Sequence, residues 1–147
     1  MPDRDERLDE ELAIERLNAA LEQQYRSALQ YSVVAARLLG LEAQGLGEKL
    51  TEFGDEELSG ARNLIEKIVS FDGAPSVKVA PLEFHADATE AVAWLIECED
   101  EVVEALQESI EPTGREGRSE ALEHMLEHLI MRKQHQIDFL KRAAGGG

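Results

Sequence analysis

An all-α antiparallel four-helix bundle with one long crossover connection is the fold this sequence predicts. Three observations predict it. Apolar residues recur at the helical period in four separate stretches. Ala, Leu, Glu and Arg dominate a chain of 147 residues that holds only 4 prolines, a composition that favours helix. Two of the three connections are short, and the middle one, APSVKVAPLEFHADA, is long enough to cross the length of a bundle. A chain of this size is expected to form a single domain, 1–147, with one substantial core.

The first helix is expected over about 7–39, with Leu17, Leu21, Gln24, Ala28, Tyr31 and Ala35 on its inner face. It should stop in the glycine-bearing stretch GLEAQGLG. The second is expected over 47–71 and ends at FDGAP, where Gly73 can take the left-handed conformation and Pro75 forbids continuation. Asp87 is the expected N-cap of the third helix, over 87–110, with Glu90 completing a capping box. EPTGREG makes a turn, and the fourth helix is expected over 119–142, its face formed by Leu122, Leu126, Leu129, Ile130, Ile137 and Leu140. Helices of this length span roughly 35 Å, which suits two hairpins joined by a crossover.

The formal net charge of −16 argues against a nucleic acid or an anionic membrane as partner. One cysteine, Cys98, excludes an intramolecular disulfide and suits a reducing compartment. No apolar run approaches membrane-spanning length. The beginning, MPDRDERLDEEL, is acidic where a secretion signal would be basic and then apolar. A cytoplasmic location is expected.

Charge interrupts the apolar stripes at three places. Glu57 lies within the run Leu46, Leu50, Phe53, Leu64, Ile68; Glu99 within Val92, Leu95, Val102, Leu106; and Lys133 near the middle of the fourth face. Charged groups are costly to bury unless paired. The stripes therefore imply a buried polar layer of two carboxylates and one ammonium.

LNAALEQQYRSALQY on the first helix, IEKIVSFDGAP closing the second and HQIDFL on the fourth resemble bacterioferritin, in register over about 17–140. The resemblance implies the ferritin-like arrangement of the bundle. It also implies a di-iron site built from one Glu on each of two helices and a Glu-x-x-His pair on each of the other two, residues at i and i+3 sharing a face. By register those six positions fall on Gln24, on Glu57 and Gly60, on Glu99, and on Lys133 and Gln136. Two carboxylates remain, Glu57 and Glu99, as remnant metal ligands, and both histidines are replaced. The family's inward tyrosine corresponds to Tyr31, and the methionine that ligates haem corresponds to Leu58, so haem is not expected. A short fifth helix that helps close the ferritin cage would follow Arg142, and a 24-subunit cage is not expected.

The resulting expectation is a ferritin-like protein without catalysis or cofactor. Its di-iron centre is replaced by an internal salt-bridge layer of Gln24, Tyr31, Glu57, Glu99, Lys133 and Gln136, the two glutamines acting as neutral donors. Two alternatives stay open. Lys133 can extend outward along its stem, leaving Glu57 and Glu99 to bind iron or another divalent metal for oxidation or storage; or the bundle is a scaffold that docks a partner.

His124, His128 and His135 lie within roughly 40° of one another on the fourth helix, opposite its apolar face. They read as a solvated face or as a divalent-metal site. HMLEH lacks the HExxH order, so a zinc protease is not indicated. Cys98 has no basic neighbour to activate it and reads as a small buried residue. A second stripe on the first helix, Ile14, Tyr25, Leu29, Ser32 and Ala36, is turned about 90° from the core face. It either widens the core contact or, as the resemblance implies, forms a homodimer interface, to which Trp94 also could contribute.

Overall fold

The computed structural model describes residues 9–38, 44–110 and 117–145. They form four helices, α1 (Glu10–Arg37), α2 (Gln44–Ser70), α3 (Ala88–Ile110) and α4 (Gly117–Ala144). Among the described residues none is in a strand, and no helix is long and apolar enough to cross a membrane.

The helix ends follow from local chemistry and correct several expected boundaries. Asp9 caps α1, its carboxylate accepting from the Leu12 amide at 3.1 Å, so α1 begins at Glu10; the expected start at position 7 lies outside the described residues. α2 begins at Gln44, three residues before the expected start, because Gly45 and Gly47 lie inside the helix and do not break it. A Cβ at Gly47 would lie 3.4 Å from the Leu38 carbonyl oxygen, so this glycine allows the start of α2 to approach the end of α1. At the other end of α2 the left-handed residue is Asp72, with φ 62°, and not Gly73. Gly73 serves packing instead: a Cβ there would stand 2.9 Å from Ile14 Cγ2 and 3.0 Å from Ile68 Cγ2. Asp87 caps α3 as expected, its side chain accepting from the Glu90 amide at 3.0 Å. α4 is longer than expected at both ends. The turn expected at 111–117 lies, up to residue 116, outside the described residues.

The connection between α2 and α3 runs alongside α1 from one end to the other. Gly73 lies against Ile14. The Asn18 side chain donates to the Ala74 carbonyl at 3.0 Å and accepts from the Ser76 amide at 2.7 Å. Tyr25 donates to the Ser76 carbonyl at 3.0 Å, and Gln30 both donates to the Glu83 carbonyl (2.7 Å) and accepts from its amide (3.2 Å). Arg37 donates to the Ala86 carbonyl. A segment with no sheet of its own thus has its backbone groups satisfied by α1 side chains. This routing starts α3 at the far end, so α1 packs antiparallel to α2 and to α3, and α3 antiparallel to α4.

The core has two apolar clusters. One holds Leu17, Leu21, Leu64, Ile68, Leu106, Leu122 and Leu126. The other holds Val34, Leu50, Phe53, Val92, Leu95 and Leu140, with the Phe53 ring edge-on to Tyr31 and to Phe139, at centroid distances of 5.8 and 5.3 Å. On every helix buried polar residues fall between the two, and only Ser109 of those described lies beyond them, past Leu106 on α3.

Candidate functional site: a buried Glu–Lys layer

Each helix contributes to the polar layer at the same height. Gln24 and Ser27 come from α1, Glu57 from α2, Glu99 from α3, and Lys133 and Gln136 from α4; all are fully buried. Lys133 sits between the two carboxylates. Its Nζ lies 3.1 Å from Glu99 Oε2 and 3.3 Å from Glu99 Oε1, and it is in direct contact with Glu57 Oε2. The ammonium therefore points inward, with none of its side chain exposed.

The remaining positions are held by neutral donors. Gln24 Nε2 donates to Glu57 Oε2 at 2.7 Å and to the Glu57 carbonyl at 2.8 Å. Ser27 donates to Glu99 Oε1 and accepts from Lys133 at 3.3 Å. Gln136 departs from the expected role: its amide donates to Glu56 at 2.8 Å, away from the two buried carboxylates, while its oxygen accepts from Tyr31 at 3.4 Å. Three participants escaped the sequence reading. Ser27 carried no signal beyond its position one turn from Gln24. Glu56 and Arg132 flank residues of the layer and look like ordinary solvated neighbours. The glycine at position 60, inside a helix and on the inner face, was the available clue to Arg132, whose Nε lies 3.9 Å from Glu57 Oε1.

Burial dominates the electrostatics here. Glu99 is pushed above the usual carboxylate range chiefly by desolvation, which outweighs the opposing pull of Lys133; Glu57 adds repulsion, and the bonds from Ser27 and Lys133 act against it. Tyr31 is raised by burial and then by the charges of Glu99 and Glu57, so its phenol stays protonated. Cys98 is pushed up to about 12, first by burial, with Arg26 opposing; it is an inert buried thiol.

The other sequence candidates fall apart in space. His124, His128 and His135 are exposed on α4. Among the described residues no group of three or more His, Cys, Asp or Glu is placed to hold a metal. The second stripe of α1 is divided: Ile14 and Tyr25 pack on the core and the crossover, whereas Leu29, Ser32 and Ala36 are exposed. Trp94 is partly buried, with the Arg26 guanidinium over its ring at 5.7 Å and the His85 ring at 6.1 Å.

The family model for the ferritin-like domain, Ferritin, matches residues 14–145. The chain belongs to the ferritin family. Its fold is similar to that of a ferritin-like diiron-carboxylate protein of Bacillus anthracis str. Ames, with a TM-score of 0.85 and 24% identity over 92% of this chain and 97% of that one. It is also similar to the bacterioferritin of Rhodobacter capsulatus, a structure with a metal-free dinuclear site and heme iron, with a TM-score of 0.79 and 25% identity over 90% of this chain and 83% of that one. No protein among the curated ones matches the sequence.

The residues of this ferritin-like bundle do not fit a di-iron centre. An ammonium stands between the carboxylates, no imidazole is present in the layer, and the space over Gly60 is taken by other side chains: a Cβ there would lie 2.6 Å from the Arg132 guanidinium and 2.8 Å from the Gln24 amide nitrogen. Leu58, 45% exposed on α2, carries no donor atom for a haem iron.

Proposed function

We propose that this protein is a non-catalytic ferritin-like bundle in which a Glu57–Lys133–Glu99 salt bridge takes the place that a metal centre has in bacterioferritin-like proteins. The observation that carries the reading is the position of Lys133: fully buried, with Nζ on both carboxylates. A buried cation there neutralises charge that would otherwise attract a metal. It also fixes the height at which α2, α3 and α4 meet, since displacing any one of these three leaves a charge unpaired. Such a layer supports a scaffold role without cofactor, and the single unpaired cysteine suits the cytoplasm. The test is aerobic incubation with ferrous iron, following oxidation optically and metal content by elemental analysis. Oxidation at the buffer rate with no retained metal is expected; rapid oxidation with stoichiometric iron would overturn the reading in favour of iron oxidation or storage.

The protein is further proposed to act as a homodimer through the outer face of α1 and α2. Leu29 and Leu58, 47% and 45% exposed, support this: large apolar residues left in water on one hairpin favour a partner of the same kind. Light scattering coupled to size exclusion tests it. A dimer that the double change Leu29→Glu, Leu58→Glu converts to monomer is expected, and a monomeric wild type would sink it.

A further inference from the structure

Lys133 is not the only cation in reach of the buried carboxylates. Around Gly60, four buried polar atoms stand without a hydrogen-bond partner: Gln24 Oε1, Glu57 Oε1, and Nε and Nη2 of Arg132. Two are acceptors and two are donors. Arg132 Nε is 3.9 Å from Glu57 Oε1, and a Cβ at Gly60 would lie 2.6 Å from Arg132 Nη2. Glycine is a poor residue for a helix interior. Here its missing side chain is the space into which the guanidinium fits.

We infer that Arg132 is a second internal counter-ion, seated over Gly60, which shares with Lys133 the task of keeping other cations away from Glu57. This deepens the proposed salt-bridge function and rests on it. The two fully buried carboxylates then meet two cations. The arginine's three-quarters-buried side chain also covers Glu57 from the solvent side. At 3.9 Å the pair is longer than a direct hydrogen bond and acts through charge.

Nitrogen-15 NMR of the metal-free protein tests the inference. The Arg132 Nε–H signal, assigned by its loss in Arg132→Met, is expected to be protected from solvent exchange and to shift in Glu57→Gln. An Arg132 Nε–H exchanging as fast as those of exposed arginines would overturn the inference on the wild type alone. A thermal-unfolding cycle adds a second readout. Gly60→Ala should lower Tm further when Arg132 is present, by evicting the guanidinium, than in the Arg132→Met background, where only the contact with the Gln24 amide opposes the gain in helix propensity. Equal shifts in both backgrounds would also overturn it. Neither measurement uses metal, so this inference and the iron result can fail separately.

Discussion

Lys133 and Glu99 face each other across the α3–α4 hairpin with Nζ 3.1 Å from Oε2, and neither side chain is reached by solvent. Water cannot compensate either partner if the other is removed, so the cost of breaking the pair falls on the fold itself.

Lys133→Ala should therefore destabilise the protein by about 3–5 kcal/mol, the range for a buried ion pair stripped of one member. Urea unfolding of the two proteins measures the difference. Unfolding midpoints that coincide would show that the ammonium does not hold the layer together.

Glu99 makes a pH prediction whose sign is opposite to that of a typical carboxylate. Its folded-state pKa is raised above the ordinary 4.5, mainly by burial, so the native state holds its proton more tightly than the unfolded chain does. Its contribution is most favourable below the unfolded value and is lost as pH rises through the raised one. Glu99→Gln lacks this dependence. Relative to wild type, its stability should improve progressively from pH 4.5 upward, as read from urea midpoints across that range; a difference constant with pH would contradict the raised value.

The crossover depends on α1. Asn18 both donates to the Ala74 carbonyl and accepts from the Ser76 amide, and Asn18→Ala should cost roughly 1–3 kcal/mol at about 0.5–1.5 kcal/mol per bond. Hydrogen exchange localises the effect: the Ser76 amide should lose protection while the amides of α4 keep theirs.

Cys98 is fully buried, with its thiol pushed up to about 12. A thiolate-directed reagent at pH 8 should leave it unmodified in the native protein and label it at the rate of global unfolding. Prompt labelling under native conditions would place it at the surface.

Much of this was legible in the sequence because helical periodicity reports which side of a helix faces inward. Leu17, Leu21, Leu50, Leu64, Leu95, Leu106, Leu126 and Leu140 are all buried as their spacing predicts. The same periodicity put Gln24, Glu57, Glu99 and Lys133 inside, the resemblance to bacterioferritin added Gln136, and the cost of leaving the three charges unpaired was enough to imply that they meet. The direction each long side chain takes was not legible. Gln136 turns to Glu56, Ser27 joins Glu99, and Arg132 fills the space over Gly60. Each choice depends on the room left by three other helices, which no one-dimensional pattern encodes. The crossover was equally silent, since an extended segment satisfied by side chains carries no period. Only its path along α1 decided that Ile14 and Tyr25 are covered while Leu29 stays in water. Apolar spacing by itself therefore determined the bundle and the level of its polar layer; packing in three dimensions decided which charge meets which, because burial makes pairing obligatory but geometry alone selects the partner.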